Sequence, residues 1–161
     1  MEKIRWGILA TGWIAEQLAQ AINDQPDAVC LAVGSRSQQS ADLFGDKWDI
    51  ARRYPTYEAL ATDPDVDVIY IATPHNLHYE NMKLCLNAGK HVLCEKPLTV
   101  NAVQARECMA LAREKGLFLM EAMLWRDELN AAIWQYDRGA QAILLSTQRL
   151  QRPCEAFITG S

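Results

Sequence analysis

Lys96 is the side chain best placed to work on a small oxygen-bearing molecule. Its segment, Cys94-Glu95-Lys96-Pro97, closes a short apolar run, so the ammonium stands at a strand end. A lysine there can donate to a hydroxyl or carbonyl oxygen and polarise it while a hydride moves. The competing reading is a surface ion pair with Glu95, worth little. A second strand end, Thr73-Pro74-His75-Asn76-Leu77-His78, brings a hydroxyl, an amide and two imidazoles. At the head of the chain, Gly7-Ile8-Leu9-Ala10-Thr11-Gly12-Trp13-Ile14-Ala15 has the spacing G-x-G-x-x-A with its first glycine replaced by Ala10. Such a turn lets backbone N–H groups at a helix N-terminus approach a pyrophosphate. A side chain at Gly12 would stand between backbone and phosphate. The alternative is an ordinary strand-to-helix turn, because a glycine motif is weak evidence by itself.

About 20 positions after such a turn, an acidic residue binds the ribose 2′-hydroxyl in a fold that prefers NAD. Here that corner reads Gly34-Ser35-Arg36-Ser37, with no acid and with Arg36 between two serines. A guanidinium flanked by hydroxyls suits a 2′-phosphate through charge-assisted hydrogen bonds. A solvated loop arginine is the plainer reading. The expected cofactor is NADP, with NAD less favoured.

The elements that must position these groups alternate along the chain. Ile4–Leu9 reads as a strand, followed by a helix over 12–23 with Ile14, Leu18 and Ile22 on one face and Glu16, Gln17 and Gln20 on the other. A strand over 28–33 and a helix over 40–48 come next. Arg52, Tyr54 and Pro55 read as an irregular passage, and a helical turn follows over 58–61. The β-branched stretch 66–72 predicts a buried strand. Beyond it lie a helix through Met82, Cys85 and Leu86 ending at Gly89, and a strand over 91–94. Thr99 reads as the N-cap of a helix whose inner face holds Ala105, Cys108, Met109 and Ala112. Gly116 ends that helix, before a strand over 117–120. This alternation predicts a parallel α/β sheet with right-handed crossovers, which binds ligands outside its carboxyl edge.

Bulk properties narrow the classes. The 161 residues can bury one good core, and 50% hydrophobic with 22% charged residues is ordinary for a globular domain. A net charge of −4 without a basic run argues against a nucleic-acid surface. No apolar run approaches the ~18 residues that span a bilayer, and nothing reads as a signal peptide, so no membrane partner is expected. Five cysteines, an odd number without C-x-x-C, suggest reduced thiols in a cytoplasm. His75, His78 and His91 have no metal-ligand spacing, and no metal is expected.

Taken together, the four segments quoted above, extended to Leu98-Thr99 and joined by Glu121-Ala122-Met123-Leu124-Trp125-Arg126, resemble the N-terminal half of the Gfo/Idh/MocA oxidoreductases. The likeness covers residues 1–126. It is greatest to the branch of glucose–fructose oxidoreductase, dihydrodiol dehydrogenase and NADP-dependent xylose dehydrogenase. The resemblance implies a Rossmann-type doubly wound parallel sheet that binds NADP(H), with Lys96 as the catalytic lysine and Lys96-Pro97 as a cis peptide. It also implies that Thr73, Asn76 and His78 line the nicotinamide side and that Trp125 and Arg126 approach the cofactor. The full set of implied cofactor contacts is Ala10, Thr11, Gly12, Trp13, Ile14, Ser35, Arg36, Thr73, Pro74, Asn76, His78, Glu95, Lys96, Trp125 and Arg126. Ala10 departs from the commonest first glycine.

After Arg126 the family pattern breaks. Asp127-Glu128-Leu129-Asn130 follows, and from Ala131 the chain resembles a much later part of the family. Residues 131–136 and 140–147 resemble a hairpin linked through Asp137-Arg138-Gly139, and 155–160 the strand after it. Taken alone, Leu129, Ala132, Ile133 and Tyr136 also suit a helix. Residues 127–161 are thus expected to form a remnant of an antiparallel C-terminal sheet, with on the order of a hundred residues of a two-domain dehydrogenase skipped at the break. The skipped part would hold a histidine or tyrosine proton donor and most of the substrate pocket. The remnant strands would offer edges for a homo-oligomer. The expected activity is hydride transfer between NADP and a secondary alcohol or hemiacetal carbon of a sugar-like or cyclic diol substrate. The alternative is a nucleotide-binding module without catalysis.

Overall fold

Val68–Ile71 is apolar throughout and buried at every position, as a strand covered on both faces must be. In the computed structural model, which describes residues 3–122, 130–135, 141–146 and 155–159, it is β4 of a six-stranded parallel sheet. The other strands are β1 (Ile4–Leu9), β2 (Ala28–Gly34), β3 (Arg52–Tyr54), β5 (His91–Glu95) and β6 (Leu119–Ala122). Their order, β3-β2-β1-β4-β5-β6, is the doubly wound order expected from the resemblance. The winding reverses between β1 and β4, which places the ligand crevice at their carboxyl ends.

Five helices connect the strands: α1 (Trp13–Asn23), α2 (Gln38–Trp48), α3 (Tyr57–Ala61), α4 (His78–Asn87) and α5 (Ala102–Lys115). The core is built on Ile8, Leu9, Ile69, Ile71, Val92 and Leu93 from the strands, with Met82, Cys85 and Leu86 of α4 against it. α1 packs on β1 and β2. Its buried line runs through Ala15, Ala19 and Ile22, with Ile14 and Leu18 half-buried beside it. Alanine lets a helix approach a sheet closely, so the contact line lies one position round from the apolar stripe read in the sequence.

Several boundaries differ from the expectation. Residues 52–54 are an edge strand paired with Ala32, Val33 and Gly34. Three residues are too few to show a period, and this strand is held by side chains from elsewhere. Arg52 pairs with Asp63 and Asp65, and Arg53 pairs with Asp46. The α5 cap is Asn101, whose side chain accepts from the N–H groups of Val103 and Gln104 at 3.0 Å each. Thr99 instead donates its hydroxyl to the Asn101 carbonyl. Met109 is 39% exposed, and the buried line of α5 holds Cys108 and Ala112. Leu117 N–H still bonds back to Ala112 O at 2.8 Å, which delays β6 to Leu119.

The start of β6 carries a pH-sensitive contact. His91 Nδ1 accepts from Phe118 N–H at 2.9 Å, so that nitrogen is unprotonated. Burial holds the imidazole below its ordinary value, against the opposing pull of Asp67. Between the lowered folded value and the unfolded value near 6.5, the unfolded chain binds more protons. The stability this ring contributes is therefore full above about pH 6.5 and is lost as pH falls through the folded value. Urea midpoints are expected to drop between about pH 7.5 and 5.5, and to drop less in His91→Phe. Equal slopes for parent and variant would rule the contact out.

The chain divides into two units, Met1–Met123 and Leu124–Ser161. In the second, β7 (Asn130–Gln135), β8 (Gln141–Ser146) and β9 (Glu155–Thr159) form an antiparallel sheet in sequence order. Ala132 faces Leu144, and Leu144 faces Ala156 in the register. Strands, not a helix, occupy this stretch. Trp125, Arg126, Tyr136, the link Asp137-Arg138-Gly139 and Cys154 lie outside the described residues.

Candidate functional site

β1 ends at Leu9, and Ala10 turns the chain toward α1 with φ +94°, in the region that favours glycine. Its N–H donates to Gly34 O at 2.9 Å, tying the ends of β1 and β2 together. An alanine held there is strained. Ala10→Gly is expected to raise stability by about 0.5–1 kcal/mol, because the left-handed penalty exceeds the entropic cost of glycine. Urea unfolding checks this, and an unchanged midpoint would mean that the turn is unstrained.

Gly12 caps α1 with extended backbone and no side-chain cap. A Cβ built there would meet no protein atom within 4 Å. Packing does not require this glycine; its missing side chain leaves the first N–H groups of the helix bare and facing open space. Gly34, at the end of β2, is required by packing, because a Cβ there would lie 2.8 Å from Leu60 Cβ. Ser35 is buried, with its N–H bonded to Tyr54 O. Arg36 is exposed and makes no ion pair among the described residues. Ser37 caps α2 by accepting from Ser40 N–H at 3.2 Å, and its hydroxyl donates to Ser40 Oγ. Burial raises the Tyr57 phenol, and the neighbouring Arg36 charge pulls it down.

These groups surround one cleft of about 610 Å³. Its walls are Ala10, Thr11 and Gly12 from the β1 turn; Ser35, Arg36, Ser37 and Ser40 from the β2 end and α2; and Tyr57 from α3. Ala72, Thr73, Pro74 and Leu77 complete it from the β4 end. The uncapped helix terminus and the exposed guanidinium, both on this cleft, suit an anionic diphosphate ligand.

The β4 and β5 ends are held by buried polar contacts. Thr73 Oγ1 accepts from Asn81 Nδ2 at 3.0 Å. His78 is 1% exposed, with Nε2 facing Thr73 O and Nδ1 facing Pro97 O, each at 2.8 Å. Glu95 is 7% exposed; its Oε1 accepts from Tyr70 hydroxyl at 2.5 Å and its Oε2 from Lys96 N–H at 3.2 Å. Burial and then Glu95 push the Tyr70 phenol far above its ordinary range, so it stays a donor. The Lys96 side chain is exposed, and the surface ion pair with Glu95 is not formed. Lys96-Pro97 is cis, and Leu98 N–H donates to Glu121 Oε1 at 2.7 Å.

The cleft therefore collects Ala10, Thr11, Gly12, Ser35, Arg36, Thr73 and Pro74 of the expected contacts. Trp13 is 71% exposed in the first turn of α1, Ile14 is half-buried, and Asn76 is exposed in the 3₁₀ turn His75–Leu77. None of these three lines the cleft, nor do His78, Glu95 and Lys96. His78 is turned into the protein, onto the carbonyls of Thr73 and Pro97. Ser37, one of the two serines read beside Arg36, joins the expected contacts on the cleft, and Ser40, Tyr57, Ala72 and Leu77 line it without having been singled out. Ser40 and Tyr57 reach the cleft only through the crossovers. Burial pushes the Cys85 thiol up to about 12 and that of Cys108 up to about 11, so neither is an active nucleophile.

A family model described as an oxidoreductase family with an NAD-binding Rossmann fold (Gfo/Idh/MocA) matches residues 4–123. The trans-1,2-dihydrobenzene-1,2-diol dehydrogenase of Mus musculus is 46% identical over 122 residues, which is 74% of this chain and 37% of that protein. The Homo sapiens enzyme of the same name is 45% identical over 125 residues, 76% and 37% of the two chains. Among solved structures, KijD10, a 3-ketoreductase from Actinomadura kijaniata in complex with NADP and TDP-benzene, superposes with a TM-score of 0.71 and 38% identity. That match covers 74% of this chain and 37% of KijD10. An NAD binding oxidoreductase from Klebsiella pneumoniae has a TM-score of 0.72 and 31% identity, over 74% and 34%. The chain spans about 37% of the length of the curated relatives it matches.

Proposed function

The chain belongs to the Gfo/Idh/MocA family of oxidoreductases with an NAD-binding Rossmann fold, and from that premise we propose that it binds NADP(H). In the same reading, Lys96 serves hydride transfer at a secondary alcohol carbon of a cyclic diol or sugar-like substrate. The observation that carries the proposal is the exposed guanidinium of Arg36, without an ion pair among the described residues, on the same cleft as the uncapped N-terminus of α1. Gly12 and the first N–H groups of α1 receive the diphosphate. Arg36, with Ser35 and Ser37 beside it, takes the 2′-phosphate, and Tyr57 closes that end. Bound there, NADP(H) would supply or take up the hydride. Lys96 Nζ donates to the substrate oxygen in reduction and accepts the hydroxyl proton in oxidation. The relatives named for a trans-dihydrodiol support a cyclic diol as substrate, and the NADP complex of KijD10 supports the cofactor. The four free, buried thiols Cys30, Cys85, Cys94 and Cys108 favour a reducing compartment such as the cytoplasm.

A second reading, a cofactor-binding module without turnover, is favoured by a specific observation. Every residue lining the cleft belongs to the first unit. Calorimetric titration with NADPH and with NADH tests the shared premise. NADPH is expected to bind the more tightly. Equal affinities would remove the role of Arg36, and no binding of either would remove the dinucleotide site. Substrate turnover then separates enzyme from module.

A further inference from the structure

We propose that His78, Glu95 and Glu121 are positioning residues that clamp the backbone of Lys96-Pro97-Leu98 and couple it to Thr73 on the cleft wall. The proposal rests on the reading of Lys96 given above. Three successive residues outside regular secondary structure are each engaged by a side chain from a different element. Glu95, at the end of β5, accepts from Lys96 N–H. His78, in the first turn of α4, faces Pro97 O. Glu121, on β6, accepts from Leu98 N–H. Two of the three clamp residues are themselves held on their other side. Glu95 is buried and has its other oxygen on Tyr70, and His78 has its second nitrogen on Thr73 O.

Both groups that face His78 are acceptors, so any N–H it carries is donated to Thr73 or Pro97. A rigid ring between two carbonyls sets their separation. Asn81, one turn further along α4, fixes the Thr73 hydroxyl. α4 thereby holds the floor of the cleft and the root of the lysine in one frame. The Lys96 side chain is a flexible four-carbon stem with no ion pair among the described residues, so its orientation depends on where its backbone is anchored.

The test is residue-resolved amide hydrogen exchange by NMR on the full chain, without cofactor. Leu98 N–H is expected to be protected only by Glu121, so Glu121→Ala raises its exchange about tenfold. Glu121→Gln keeps a side-chain oxygen and restores protection. His78→Phe fills the site without donors and raises exchange at both Lys96 and Leu98. The amides of β1 keep their rates in all three variants. Unchanged Leu98 exchange in Glu121→Ala, or a rise shared by every amide, overturns the clamp. Should His78→Phe fail to fold, the two Glu121 variants still decide. In turnover, Glu121→Ala is expected to lower kcat while NADPH affinity holds. Local exchange as expected, in a parent chain without Lys96-dependent turnover, would remove the reading of Lys96 and leave the clamp standing.

Discussion

Lys96→Ala is expected to lower NADP-dependent oxidation of a trans-dihydrodiol by about 10²–10⁴-fold, the range for a positioned general acid or base. NADPH affinity is expected to stay at the parent value. The two readouts separate because the residues proposed to hold the cofactor, from Ala10 to Gly12 and around Arg36, line a cleft to which Lys96 does not contribute. Its ammonium stands exposed past β5, and Glu95 holds its backbone N–H and not its charge. With Glu95 turned away from it, the ammonium keeps its N–H groups for a substrate oxygen. Lys96→Arg sharpens the test, because a guanidinium keeps the charge but does not release a proton in this pH range. Recovery in Lys96→Arg would make the role electrostatic alone. Steady-state kinetics with calorimetry on the same samples decides, and turnover that survives Lys96→Ala sinks the assignment.

Arg36→Ala is expected to weaken NADPH by roughly 10–150-fold, the loss of one charge-assisted contact worth about 1.5–3 kcal/mol. NADH is expected to bind the variant as it binds the parent. The asymmetry follows from what Arg36 touches. It makes no ion pair among the described residues, so its removal leaves no buried charge behind. On the cleft, the Tyr57 phenol feels the charge of Arg36. Glu58 follows Tyr57 in the sequence and also acts on that phenol, in the opposite sense. Losing Arg36 therefore makes the corner more negative as well as removing a donor, and both changes disfavour a 2′-phosphate. A loss shared equally by NADPH and NADH would mean that Arg36 supports the cleft and does not read the phosphate.

Much of this was legible in the sequence wherever the controlling interactions are short. The glycine turn, the apolar runs and the alternation of strand and helix depend on neighbours within a few residues. They led directly to the sheet, to the cleft residues from Ala10 to Gly12, and to Arg36 and Lys96 at strand ends. Tertiary structure decided which partner each of these groups meets. Residues 52–54 became a strand because β2 had an open edge and Asp63 and Asp65 faced the Arg52 guanidinium. Glu95, adjacent to Lys96 in sequence, is turned inward by Tyr70 from the neighbouring strand. His78 shares a motif with cleft residues, yet one helical turn rotates its ring onto two carbonyls. Tyr57 and Ser40 reach the cleft because the crossovers carry α2 and α3 past the end of β2. Local spacing specifies which groups stand at the carboxyl edge of a parallel sheet. Their contacts are set by strand order and burial, which bring together residues tens of positions apart and leave no periodic trace.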